Sequence, residues 1–350
     1  MPPVEAWKKV FVDSAFLATT HGQQTCVDCH GGDSSATEMA QAHIGIVADP
    51  SDSCAVCHAS EAVAFENSQH RQLTGYRELI AARAGQATMS PELADMFEQK
   101  CNTCHVTCGQ CHISRPNSVG KGFLRGHKVL RRPSMTENCT ACHGSRIGQE
   151  FRGEHAGIPA DVHYNNGMQC VACHTAEEMH GHGAQGTTRY DVAAAPVCED
   201  CHDLAASGNA YHQVHGDRLS CQVCHSVSYK NCYSCHVGVG LERPSELDFK
   251  IGRNPLLSAD RPEEYVVLRH IPIAPDSYRD YMPGTLSNYS DLPTWKFATP
   301  HNIQRTTPQT ADCTTSCHGN ADIFLMAADL EGMSAEEIEA NQGVIVAEVP

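Results

Sequence analysis

Cys-x-x-Cys-His occurs nine times in this chain of 350 residues. The copies are Cys26, Cys29 and His30; Cys54, Cys57 and His58; Cys101, Cys104 and His105; Cys108, Cys111 and His112; Cys139, Cys142 and His143; Cys170, Cys173 and His174; Cys198, Cys201 and His202; Cys221, Cys224 and His225; and Cys232, Cys235 and His236. A tenth site, Cys313, Cys317 and His318, has one more residue between its cysteines. Together the ten use all 20 cysteines. The pattern is the attachment signature of c-type haem: two thiols form thioethers to the porphyrin, and the adjacent histidine ligates the iron from one side. Zinc sites also use Cys-x-x-Cys, but there the pairs combine to give four ligands per metal. Here every pair carries its own histidine in the next position. A disulfide framework would not require that histidine. At the tenth site a disulfide or a free pair competes with haem. His318, and the lack of any orphan cysteine, favour haem.

The other histidines bear on what such haems would do. Ten of the 22 lie in the motifs, and twelve are free. An iron with two histidines is six-coordinate and low-spin, which suits electron transfer. Ten second ligands are needed. The expected set is His21, His43, His70, His127, His163, His180, His212, His215, His270 and His301. His155, in a loose Gly-Glu-His-Ala-Gly loop, and His182, two residues from His180, are the spares. His212 and His215 stand at helical i,i+3 spacing and could serve two adjacent haems.

Ten porphyrins would supply much of the apolar core that this chain otherwise lacks, since aromatic residues are only 6%. Helix and strand content below ordinary levels is therefore expected. The fold class is mostly irregular coil with short α-helices and little or no β-structure, wrapped around a closely stacked haem chain. Lys and Arg number 25 against 41 Asp and Glu, a net charge of −16. Iron-bound histidines do not readily take up protons, and propionates add negative charge, so the effective pI lies below 5.7. That balance argues against nucleic acid and anionic membrane as partners. No run of 18 apolar residues is present, so no transmembrane segment is expected. Haem is attached outside the cytoplasmic membrane, and no signal peptide is visible. A periplasmic or extracellular protein, with its signal removed, is the expectation.

Three segments are expected: a haem-dense region over 1–240 with nine sites, a Pro/Tyr-rich haem-free arm over 241–312, and a tail over 313–350 with the tenth site. Sites three and four start seven residues apart, which spans at most roughly 25 Å, so they must be neighbours. Tyr265, Tyr278, Tyr281, Tyr289 and Trp295 in the arm suggest a cover for haem edges or a subunit contact, with a substrate lid as the rival reading. Helices are expected over 4–17, 61–84 and from Ser90 towards Lys100. A short C-terminal helix should open on a Ser334/Glu337 capping box.

On these motifs, and on the phrases CNTCHVTCGQCHISRP (101–116), CTACHGSR (139–146), DVHYNNGMQCVACH (161–174) and PTWKFATPHNIQ (293–304), the chain resembles multihaem c-type cytochromes of the bis-histidine, extracellular-electron-transfer kind. The doublet of sites and Met179-His180-Gly181 resemble in part the octahaem tetrathionate-reductase type. That resemblance implies one catalytic haem with an open or lysine-filled position. In haem density the chain is similar to polymeric cytochrome filaments. Three functions compete: a respiratory electron carrier with redox partner proteins or an extracellular acceptor, a reductase of a small nitrogen or sulfur oxyanion, and a filament subunit or other homo-oligomer. The histidine surplus favours carrier and filament over enzyme. No convergent cationic cluster stands out; Arg131–Arg132 and Lys121, Arg125 and Lys128 come nearest.

Overall fold

A computed structural model describes residues 4–100, 106–183, 186, 188–231, 245–273, 275–279 and 284–349. Cys101, Cys104, His105, Cys232, Cys235, His236 and Tyr281 lie outside the described residues. The chain divides into two compact units. The first comprises Met1–Tyr76, Phe97–Gly144 and Gln169–Pro196; the second comprises Arg77–Met96, Ser145–Met168 and Val197–Pro350. Residues 241–312 fall in the second unit, together with the described motifs at Cys198, Cys221 and Cys317.

The first unit holds five described motifs in short turns. Its helices include Cys26–His30, Ser51–Ala55, Cys108–His112, Thr140–His143 and Cys170–Cys173. Four of these start at or next to a cysteine, because Cys-x-x-Cys-His spans little more than one helical turn, and Ser51–Ala55 carries Cys54 in its last turn. Few apolar side chains are buried here, among them Leu73, Phe97, Val106, Leu124 and Met135, in keeping with a core left for porphyrin.

The second unit has an apolar core of its own. Strands β1 (Tyr229–Lys230) and β2 (Leu247–Asp248) pair antiparallel. Strands β3 (Lys250–Arg253), β4 (Tyr265–His270) and β5 (Trp295–Phe297) form an antiparallel sheet with β4 in the middle. The register sets Ile251 opposite Val267 and Leu268 opposite Phe297. Every residue of β4 is buried. One face packs Ile251, Tyr265 and Val267 with Phe324 and Val346; the other packs Val266, Leu268 and Trp295 with Leu325, Leu330 and Val344. Tyr265 and Trp295, expected as anchors on a free arm, are thus buried in their own unit. Inside it, Glu150 forms an ion pair with Arg269, whose guanidinium lies 4.8 Å from the Tyr229 ring centre. The second Glu150 oxygen accepts the backbone N–H of His301 at 3.3 Å.

Among the described residues helix of all kinds reaches 43%, with few short strands and much coil, which matches the expected class of coil with short helices and little β-structure. The helix fraction itself is higher than expected, because many short helices lie between the motifs. What is low is helix length: none of the described α-helices exceeds ten residues. Strands are few, as expected. The 4–17 segment is two 3-10 turns, Ala6–Lys9 and Ser14–Ala18, since Asp13 caps the second turn and its N–H bonds to Gly126. The 61–84 region is three helices, Ala59–Phe65, Gln69–Gln72 and Thr74–Arg83. Ser68 caps the middle one, and Leu73, buried at φ +50°, ends it; its packing overrides the local backbone preference. Ser90 caps Pro91–Lys100 through the Leu93 N–H. Among the described residues no helix is long and apolar enough to cross a membrane.

Ser334 and Glu337 form the capping box of Ala335–Asn341, with reciprocal bonds of 3.2 Å. Replacing Ser334 by Ala should cost about 1 kcal/mol, and calorimetry of the loaded protein would register it. An unchanged unfolding transition would mean that this helix adds nothing to unit stability.

Candidate metal centres

The described motif histidines are His30, His58, His112, His143, His174, His202, His225 and His318. Seven of these face a histidine from outside the motifs. His58 faces His21 at 6.2 Å between ring centres, His30 faces His127 at 5.8 Å, and His143 faces His70 at 6.2 Å. His112 faces His180 at 6.1 Å, all of these within the first unit. In the second unit His202 faces His163 at 6.0 Å, His225 faces His212 at 6.1 Å and His318 faces His215 at 6.1 Å.

The separations span 0.4 Å (6.2 less 5.8), while the interplanar angles run from 20° to 89°. Ring stacking would tie angle to distance, so the spacing is set by something other than ring contact. Two metal–nitrogen bonds of about 2 Å, plus roughly 1 Å from each nitrogen to its ring centre, put the centres about 6 Å apart. The pairs therefore fit an iron between them.

The hydrogen bonds fit too. His112 Nδ1 donates to Leu130 O at 2.6 Å, His225 Nδ1 to Gln304 O at 3.1 Å and His215 Nδ1 to Tyr211 O at 3.0 Å. His212 Nδ1 bonds Ser207 Oγ at 3.0 Å. Each bond fixes the ring and leaves Nε2 for a metal. Two rings donate to carboxylates: His163 to Asp161 at 2.8 Å and His174 to Glu178 at 2.9 Å. His127 stands at φ +76°, with Phe16 and Phe123 edge-on at 4.9 and 4.5 Å. Its Nδ1 is buried and has no hydrogen-bond partner. Burial, followed by the neighbouring His143 and His174, pushes His70 down to about 4 and so keeps it neutral, the form that binds metal.

The sequence places several apolar side chains where a porphyrin would cover them. Val56, between Cys54 and Cys57, is 82% exposed; Val214, between His212 and His215, is 73% exposed. The tenth motif, Cys313–Cys317, is a π-turn. The wider turn takes up the additional residue, and His318 still faces His215.

Cysteines of different motifs also meet. Cys54 hydrogen-bonds Cys108, and Cys139 hydrogen-bonds Cys170. The Cys198 and Cys221 sulfurs lie within 4.8 Å of each other, with the Glu199 carboxylate beside them. Cys29 neighbours Cys54, and Cys111 neighbours Cys142. The described attachment points of the first unit thus form a series: 26/29, 54/57, 108/111, 139/142, 170/173. In the second, 198/201 adjoins 221/224. The helix Ala210–His215 then joins 221/224 to 313/317 by presenting His212 to one motif histidine and His215 to the other.

The remaining expected ligands are placed otherwise. His43 is exposed at the end of the helix Met39–Ala42. His301 donates Nδ1 to Thr299 O at 2.8 Å. His270 closes β4, stacks on Trp295 at 4.9 Å and brings Nε2 within 3.1 Å of Thr294 Oγ1. Of the two spares, His182 lies 6.3 Å from His180, and His155 bonds Ala156 O at 2.9 Å. A 280 Å³ cavity lined by Glu246, Asp248, Lys250, His270, Trp295 and Asp329 contains none of the motif residues. Asp161 and Glu178 escaped the sequence reading, although Asp161-Val-His163 and the i,i+4 spacing of His174 and Glu178 were there to be noticed.

No family model matches the chain. Over 143 residues it is 27% identical to multiheme cytochrome MtrA of Shewanella baltica, covering 34% of this chain and 42% of that one. The match therefore spans less than half the length of that curated relative. An octaheme cytochrome c from Shewanella oneidensis is similar at 17% identity and a TM-score of 0.33, over 63% of this chain and 60% of that one.

Proposed function

We propose that this chain, a multihaem c-type cytochrome with covalently bound haem c, carries electrons through ten haems held by bis-histidine ligation. The observation that carries this reading is the set of seven histidine pairs at 5.8–6.2 Å. Haem iron would supply the one-electron couple. The chain's part is to hold both axial imidazoles in place, so that the ligand set changes little as charge arrives and leaves. Filling both axial positions also denies a substrate access to the iron, which favours carrier over reductase. The neighbouring attachment cysteines give the order of transfer that we propose within each unit: 26/29 to 170/173 in the first, and 198/201 through 221/224 to 313/317 in the second.

His43, His155, His182, His270 and His301 are the candidates for the ligands still to be assigned at His105, His174 and His236. The engaged Nε2 of His270 makes it the least suited of these. A site outside the cytoplasmic membrane, periplasmic or extracellular, follows from the attachment chemistry, and redox proteins of anaerobic respiration or an extracellular acceptor are the partners that we propose. The acting form that we propose is the single chain rather than a filament, since the aromatic anchors Tyr265 and Trp295 are buried within their own unit.

Native mass spectrometry and electron paramagnetic resonance test the reading on one sample. The expected result is a monomer with ten covalent haems and only low-spin ferric signals. Nine haems, with no change on Cys317→Ser, would remove the tenth site. A reproducible high-spin signal in the unmodified protein would favour reduction of an oxyanion.

A further inference from the structure

The axial histidines differ in what accepts their second N–H. His112, His215 and His225 donate to backbone carbonyls, and His212 bonds a hydroxyl. His163 and His174 donate to carboxylates, Asp161 and Glu178. These acids are not loose surface groups. The Asp161 side chain is 3% exposed and that of Glu178 is 11% exposed. Asp161 is locked from both sides: Oδ1 also accepts the His163 backbone N–H at 2.7 Å, and Oδ2 accepts the Ile303 N–H at 2.8 Å.

A carboxylate accepts a stronger, charge-assisted bond than a carbonyl does. It draws the imidazole proton towards itself and makes the ligating nitrogen a better donor. A more basic ligand, with a buried negative charge behind it, favours the ferric over the ferrous state. The carboxylates themselves are largely withdrawn from solvent, which limits the screening of their charge.

We infer that Asp161 and Glu178 are tuning residues, which make the haems at Cys198/Cys201 and Cys170/Cys173 the two of lowest potential in the chain. The inference rests on the bis-histidine carrier reading, in which His163 is the second ligand at Cys198/Cys201. Among the described attachment cysteines both centres stand at the end of their unit's series. Electrons resting on the protein therefore collect away from these ends, and the two positions act as thresholds that a current must cross.

The test is a spectroelectrochemical titration of the full haem-loaded chain carrying Asp161→Asn or Glu178→Gln, with spin state and haem count followed in parallel. Both changes keep an oxygen acceptor of similar size and remove the charge. Each variant is expected to move one haem's worth of the lowest-potential component upward, and the double variant two. Haem number and low-spin signals should stay as they were, and Asp161→Glu should retain the low component. A lowest component that stays in place in both variants overturns the proposal. So does a high-spin haem in Asp161→Asn, which would make Asp161 a scaffold for ligation rather than a tuner. His163→Ala separates this from the underlying reading: it should create one high-spin haem. A fully low-spin spectrum there overturns the ligation on which the inference stands.

Discussion

Replacing Glu150 by alanine is expected to open the second unit, costing about 3–5 kcal/mol, the range for stranding one partner of a buried ion pair. Arg269 would remain in the core, 4% exposed, without the carboxylate that it pairs with. The backbone N–H of His301 would lose its acceptor as well. Hydrogen exchange at the amides of β4 gives the readout. It should accelerate by roughly a hundred- to several-thousand-fold, at 1.4 kcal/mol per tenfold. Changing both residues together, Glu150→Leu with Arg269→Met, should be far milder, because no charge is left unpaired. If the single variant exchanges like the parent protein, the pair is not what holds β4 against the helix Gln149–Arg152.

A proline in place of Val214 is expected to cost two centres at once. The helix Ala210–His215 has only six residues, and it presents both His212 and His215. Proline there removes an N–H and clashes with the preceding turn, at about 3 kcal/mol or more. Nothing else in so short a helix can absorb that. Two high-spin haems should appear in Val214→Pro, against one each in His212→Ala and His215→Ala. A single high-spin haem in the proline variant would show that the two ligands are held independently.

The chemistry of the motifs was readable because it is local. Two cysteines and a histidine within five residues identify their cofactor without any fold. His212 and His215 could be read as serving neighbouring centres for the same reason: three residues along a helix put both on one side. The pairing of His30 with His127, or of His143 with His70, is not local. It depends on loops closing over long stretches of chain, which spacing does not encode. A sharper reading of the apolar run Tyr265–Leu268 would have found a buried strand there. For the same reason the strands of 241–312 went unread: its prolines do break up helix, but β3, β4 and β5 lie between them and carry the core. Helix content was underestimated because many short turns outside the motifs, such as Ala59–Phe65 and Ala327–Leu330, add to the total.

The close approach of cysteines from different motifs has a consequence for biosynthesis. In the folded chain the thiols of Cys54 and Cys108 lie together, as do those of Cys139 and Cys170, and of Cys198 and Cys221. Attachment takes place where thiols are readily oxidised. A chain that collapsed to this shape unloaded would hold six of its cysteines ready to cross-link the wrong partners, and each cross-link would block two porphyrins. Haem must therefore be joined to the chain while it is still extended and reduced, so that the polypeptide closes around its cofactors and does not wait for them as an empty mould.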